Sequence, residues 1–109
     1  MYKKISILIP VYNEKVTIIE CLTGVLEADV GQMEMEVIIS DNNSNDGTKE
    51  ILSTINDPRV KVVYRKTNNG KGANIKNALK EASGDLILFQ DGDLEYSPKD
   101  YPVLIEPFF

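Results

Sequence analysis

The chain has 109 residues, enough for one domain around one core. Its 42% hydrophobic and 27% charged residues suit a globular domain, and 17 acidic against 12 scattered basic residues give a net charge of −5, which argues against nucleic acid as a partner. With no histidine and a single cysteine, Cys21, the chain cannot form an internal disulfide, a histidine-based catalytic triad or a histidine zinc site.

In chain order, Ile5–Ile9 is a short apolar run ended by Pro10 and reads as a buried strand. The apolar stretch before Pro10 is too short for a signal peptide or a membrane span, so a cytoplasmic location is expected. From Lys15 to Ala28, Ile18, Leu22, Val25 and Leu26 recur at helical spacing, with Cys21 beside them as a buried, inert thiol. Glu36–Ser40 is a second strand. A helix from Asp46 to Ile55 buries Ile51, Leu52 and Ile55 before Asp57-Pro58 breaks the chain. Val60–Tyr64 is the third strand. Ala73–Ala82 is a helix with Ile75, Ala78, Leu79 and Ala82 inward, closed by Gly84 as a C-cap glycine. Asp85–Phe89 is the fourth strand. Ser97–Phe109 is rich in apolar residues: Tyr101, Val103, Leu104, Ile105, Phe108 and Phe109.

Strands alternating with helices, and strands apolar throughout, predict an α/β fold: a Rossmann-like parallel sheet with helices on both faces. Right-handed crossovers bring the carboxyl ends of all strands to one edge. The polar, glycine-bearing segments all fall at that edge: Pro10–Glu14, Asp41–Thr48, Asn68–Gly72 and Gln90–Glu95. Open parallel sheets bind ligands there, so the site is expected in that crevice.

Asp91-Gly-Asp93 places two carboxylates one residue apart beyond a buried strand, where oxygen ligands suit Mg²⁺ or Mn²⁺. Gly92 permits a tight backbone path and leaves space for a phosphate. The same residues also read as an ordinary acidic turn. A cation here lets an acidic chain accept a diphosphate. Asp41 closes the second strand and is expected to meet a base or ribose, whereas Asp46 suits the cap of the following helix. Glu14 can charge the start of the first helix. Tyr12 either covers the sheet edge or stacks on a nucleobase. Lys71, within Gly70-Lys-Gly72, is either a solvated lysine or a phosphate contact; no P-loop pattern is present.

Ile9-Pro-Val-Tyr-Asn-Glu14, Asp41-Asn-Asn-Ser-Asn-Asp-Gly-Thr48, Asn69-Gly-Lys-Gly72 and Gln90-Asp-Gly-Asp-Leu-Glu-Tyr-Ser-Pro98 together resemble family 2 glycosyltransferases of the GT-A type. Among these the chain is most similar to dolichol- and polyprenyl-phosphate sugar transferases. The resemblance implies an inverting transfer from a nucleoside diphosphate sugar, a UDP- or GDP-sugar, with Mg²⁺ or Mn²⁺. The acceptor it suggests is a lipid phosphate at the cytoplasmic membrane surface. It implies that Pro10, Tyr12, Glu14, Ile39, Asp41, Lys71, Gln90, Asp91 and Gly92 serve the nucleotide sugar, and that Asp91, Asp93 and Glu95 hold the metal.

The family often has a second Asp and a Gly where this chain carries Asn42 and Asn43. GT-A domains run to roughly twice this length, within the single-domain range. Residues 1–96 are therefore expected to be the nucleotide-sugar-binding part and 97–109 the start of an acceptor-side segment. No catalytic residue beyond the donor side is expected in this stretch, and the isolated chain should turn over little or nothing. The apolar residues from Tyr101 onward are expected to drive self-association. The competing reading is a non-catalytic nucleotide-binding or regulatory module. A phosphorelay receiver is excluded by Pro-Val-Tyr-Asn after the first strand, and a redox dinucleotide domain by the lack of Gly-X-Gly-X-X-Gly there.

Overall fold

The computed structural model describes residues 2–92 and Tyr101. Among the described residues, seven elements alternate: β1 (Lys4–Val11), α1 (Ile18–Leu26), β2 (Glu34–Asp41), α2 (Thr48–Leu52), β3 (Val60–Tyr64), α3 (Lys71–Leu79) and β4 (Leu86–Phe89). The four strands form one parallel sheet in the order β3-β2-β1-β4. After β3 the chain crosses back over the sheet to place β4 on the other side of β1. The direction of winding thus reverses between β1 and β4, and a crevice opens where their carboxyl ends part.

The two faces of the sheet are unequal. Ile5, Ile7, Ile9 and Val11 of β1, with Met35, Val37 and Ile39 of β2, point to one side. They pack there against Ile18, Cys21, Leu22 and Val25 of α1 and Leu52 of α2. The period of two along each strand sends the alternate residues to the other face. Among the described residues, that side holds a small cluster of Leu8, Ile38 and Ala78, with Ala82 against it, under α3. Helices do cover both faces, as the alternation predicts, but only one side carries the main core.

Several expectations are corrected in detail. Pro10 does not end β1, which runs on to Val11 in register with Asp41. It ends only the pairing with β4. Even-numbered carbonyls of β1 face β4, with Leu8 accepting from the Gln90 N–H at 2.9 Å; odd ones face β2, with Val11 accepting from the Asn42 N–H at 2.8 Å. Position 10 would donate next toward β4, and proline has no N–H to give. The ladder on that side stops, and the strands separate.

α1 starts at Ile18 rather than Lys15, because the Glu14 carbonyl accepts from the Thr17 and Ile18 N–H groups in a preceding turn. α2 is confined to Thr48–Leu52, preceded by Gly47 at a left-handed φ of 106°. α3 begins at Lys71, and the expected inward stripe holds only in part: Ala78 is buried with Ala82 beside it, but Asn74 is buried too, while Leu79 is half-exposed. The reason is polar. The Asn74 Nδ2 donates to the Ser40 carbonyl at 2.8 Å and its Oδ1 accepts from the Ser40 hydroxyl at 2.6 Å, so a buried serine draws a buried asparagine.

Gly84 lies five residues beyond Leu79 and is not in the left-handed region, so it is not a helix cap. A Cβ there would stand 2.6 Å from Ser6 Oγ and 2.7 Å from Ser6 N. Its glycine is required by close approach to β1. Asp85 precedes β4 rather than opening it, and its carboxylate accepts from the Lys3 and Lys4 N–H groups. Tyr101 is not part of an exposed tail: it is 2% exposed, inside the main core. Val103, Leu104, Ile105, Phe108 and Phe109 lie outside the described residues, as do Asp93, Glu95 and the expected boundary after residue 96.

Candidate functional site

The crevice between the ends of β1 and β4 is a cleft of about 210 Å³ lined by Pro10, Val11, Tyr12, Glu14, Asn42, Asn68, Lys71, Asn74, Asp91 and Gly92. Of the residues expected at a site, Pro10, Tyr12, Glu14, Lys71, Asp91 and Gly92 therefore come together here. Tyr12 is 43% exposed, an aromatic ring at the rim. Asp91 leads off β4, with its backbone tied down from below. Its carbonyl accepts from the Cys21 thiol at 3.4 Å and from the Gln90 side-chain amide at 3.2 Å. Its carboxylate faces the cleft and accepts from Lys71 Nζ at 2.6 Å.

Gly92 is held by its carbonyl, which accepts from the Thr17 hydroxyl at 2.7 Å. A Cβ at this position would meet Val11 and Glu14 at 3.5 Å, an ordinary contact, and its φ is not left-handed. The backbone path does not demand glycine here. What glycine leaves is space in the cleft.

Three expected residues stand behind the cleft instead of in it. Ile39 is fully buried in the main core. Gln90 is 1% exposed, and its Oε1 accepts from the buried Tyr101 hydroxyl at 2.7 Å. Burial in this apolar surrounding pushes the Tyr101 hydroxyl well above the ordinary tyrosine range, which keeps it a donor at any physiological pH. Asp41 is also fully buried. Both of its oxygens serve the next loop: Oδ1 accepts from the Ser44 hydroxyl at 2.6 Å and Oδ2 from the Ser44 N–H at 3.0 Å.

The second loop as a whole clamps the first. Ser44 Oγ accepts from the Asn13 N–H at 2.9 Å, Asn13 and Asn45 exchange hydrogen bonds, and Thr48 Oγ1 accepts from the Glu14 N–H at 3.1 Å. Asn13 can take its left-handed φ of 52° because its short polar side chain is held this way. Asp46 accepts from the Thr48 N–H at the start of α2, as a capping carboxylate would, although Gly47 occupies the cap position itself. The Thr48 hydroxyl is the main cause that holds the Asp46 carboxyl below its usual range.

Asn42, Asn68 and Asn74 line the cleft without having been expected at the site. Asn42 is 3% exposed, and its Nδ2 donates to Asn68 Oδ1 at 2.8 Å and to the Gly70 carbonyl at 3.3 Å. Its Oδ1 has no hydrogen-bond partner among the described residues. A buried acceptor of this kind costs stability unless something donates to it. The signal in the sequence was the place where Asn42 replaces an expected acid.

The family model for glycosyl transferase family 2 matches residues 6–109 of this chain. The chain belongs to that family. Among its family 2 relatives is the dolichol-phosphate mannosyltransferase of Pyrococcus furiosus, 34% identical over 104 residues, covering 94% of this chain and 29% of the relative. Another is the undecaprenyl-phosphate 4-deoxy-4-formamido-L-arabinose transferase of Aeromonas hydrophila, 33% identical over 108 residues, covering 95% and 33%. The chain spans about a third of the length of the curated relatives it matches.

Among solved structures, residues 1–349 of S. aureus TarS in complex with UDP-GlcNAc superpose with a TM-score of 0.80 at 34% identity, covering 96% of this chain and 30% of that TarS chain. The mannosyltransferase PcManGT of Pyrobaculum calidifontis, in complex with GDP-Man and Mn²⁺, gives 0.79 at 28% identity, covering 92% and 30%. The parallel α/β sheet is thus the fold of family 2 neighbours. No helix among the described residues is long and apolar enough to cross a membrane.

Proposed function

We propose that this chain is the nucleotide-sugar-binding part, residues 1–96, of an inverting glycosyltransferase, with 97–109 beginning its acceptor side. The observation that carries the reading is the cleft at the β1/β4 divergence. It sets a carboxylate (Asp91), an ammonium (Lys71), an aromatic ring (Tyr12) and an acceptor lacking a donor among the described residues (Asn42) around one space. A nucleoside diphosphate sugar offers a partner for each of these. The ring of Tyr12 can stack on a base, and Asn42 Oδ1 can accept from a base N–H or a ribose hydroxyl. Asp41, Ile39 and Gln90 act one layer back by fixing the loops that carry these groups. That TarS was solved with UDP-GlcNAc and PcManGT with GDP-Man supports a UDP- or GDP-sugar as the donor.

The donor set suits a hard divalent cation. Asp91 offers carboxylate oxygen at the cleft, and Asp93 and Glu95 follow in the chain. The Mn²⁺ in PcManGT supports Mg²⁺ or Mn²⁺ here. Such an ion supplies Lewis-acid neutralisation of the departing diphosphate. The residues of the chain bind and orient: Pro10, Glu14 and Gly92 form the walls, and Lys71 can pair with phosphate oxygens. An acceptor oxygen attacking the anomeric carbon opposite the leaving group inverts it. A polyprenyl phosphate acceptor, which the named relatives support, is already an anion near neutral pH and needs no general base. The site then works at the cytoplasmic membrane surface, and the apolar residues after Tyr101 serve self-association.

Calorimetric titration of UDP- and GDP-sugars with and without Mn²⁺ tests the reading. Binding should require Mn²⁺ and be lost in the Asp91→Asn, Asp93→Asn double variant. Manganese-dependent affinity that survives both substitutions, in the chain joined to its natural continuation, would overturn it.

A further inference from the structure

Lys71 is the first residue of α3, a helix of nine residues whose first turn carries no acidic residue. A cation there sits against the partial positive charge of the helix N-terminus, an unfavourable place unless an anion stands opposite. The anion is Asp91, whose carboxylate Lys71 Nζ reaches at 2.6 Å across the cleft from β4. The lysine side chain is 63% exposed and the aspartate 23%. A pair this open to water is weak, contributing a factor of roughly two to five. It can therefore be exchanged rather than being locked.

From this we infer that Lys71 and a divalent cation compete for the Asp91 carboxylate, an inference that rests on the metal reading above. In the chain without ligand, Lys71 neutralises Asp91 and keeps it aimed into the cleft. When the cation takes the carboxylate, the ammonium is released beside the same cleft, where the diphosphate becomes its new counter-ion. Lys71 is thus both a stand-in for the cation and a later anchor for the phosphates, and the exchange couples arrival of metal to readiness for the nucleotide. The two roles pull in opposite directions on removal of the charge. Losing a competitor tightens the binding of metal alone, and losing an anchor weakens that of the nucleotide.

The test uses Mn²⁺ alone, with the free ion followed by electron paramagnetic resonance, on the unsubstituted chain and on the Lys71→Gln, Lys71→Arg and Asp91→Asn variants. Lys71→Gln should bind Mn²⁺ roughly two- to five-fold more tightly than the unsubstituted chain and bind UDP with Mn²⁺ more weakly. Lys71→Arg, which keeps the charge, should match the unsubstituted chain in metal affinity. Mn²⁺ affinity unchanged or lowered in Lys71→Gln, with Asp91→Asn impaired, overturns the competition and leaves the metal reading standing. If Asp91→Asn binds Mn²⁺ as well as the unsubstituted chain does, the metal reading fails and the competition with it. A measurement without substitution is a Mg²⁺ titration followed by NMR of the lysine ammonium groups. The Lys71 signal should move together with the Asp91 carboxylate signal, and a Lys71 signal that stays still while Asp91 moves also overturns the competition.

Discussion

Ser44 satisfies both oxygens of Asp41, its hydroxyl reaching Oδ1 at 2.6 Å and its N–H reaching Oδ2 at 3.0 Å, so a fully buried carboxylate is used up within its own loop. The same hydroxyl accepts from the Asn13 N–H, and the two loops at the mouth of the sheet are joined through one oxygen atom. Ser44→Ala leaves a buried carboxylate oxygen and a backbone donor without partners. It should cost about 1–3 kcal/mol in urea unfolding. Asp41→Asn should cost a similar amount, and the double variant less than the sum, because both single changes break the same unit. Strict additivity would show that the two residues act separately.

Asn42 presents an acceptor that lacks a donor among the described residues, so its contribution should appear in ligand affinity. Asn42→Ala is expected to weaken UDP binding in the presence of Mn²⁺ by roughly five- to ten-fold, the worth of one neutral hydrogen bond. Calorimetry decides it: an unchanged dissociation constant would remove Asn42 from the site.

Glu36 gives the fold an acid-sensitive point. Burial raises its carboxyl pKa, but hydrogen bonds from Ser6 and Ser83, helped by the charge of Lys4, outweigh that and hold it below its ordinary value of 4.5. A carboxylate depressed by folding stabilises the folded chain fully above the unfolded pKa and loses that contribution as pH falls through the folded one. Glu36→Gln should therefore lower the unfolding free energy at pH 7, by at most about 1 kcal/mol for a partly exposed group, and lower the melting temperature with it. The gap to the unsubstituted chain should narrow as pH falls below 4.5, the ordinary value. A gap that is constant from pH 7 down to the acid transition would exclude this origin.

Two glycines should answer oppositely to alanine. At Gly84 the added methyl would meet the backbone and hydroxyl of Ser6 and the carbonyl carbon of Ile5, at 2.6–3.0 Å, and the strand cannot give way cheaply. A loss of about 1–3 kcal/mol is expected. At Gly72, exposed in the first turn of α3, nothing lies within 4 Å, and alanine should be neutral or stabilising by about 0.5 kcal/mol. Chemical denaturation of both variants checks the contrast.

Much of the architecture was legible in the residues because periodicity reports burial. The strand runs, the inward residues of α1 and the placement of every polar segment at the carboxyl edge follow from it. What escaped depends on contacts between segments distant in sequence. Gly84 looks like a helix stop until Ser6 is seen against it. The stripe of α3 shifts to Asn74 because Ser40 waits beneath. Asp41 and Asn42 are neighbours and both buried, yet the first turns into its own loop and the second lines the cleft. The inward turn of Gln90 was hidden for the same reason, since it depends on Tyr101, which lies 11 positions later.

The missing imino hydrogen at Pro10 works as a wedge. Because β1 and β4 cannot zip together beyond that ring, the fissure stands open before anything enters it. A guest therefore spends none of its interaction energy prying the sheet apart, and its capture should be governed by diffusion and by how long it stays, rather than by waiting for a gate.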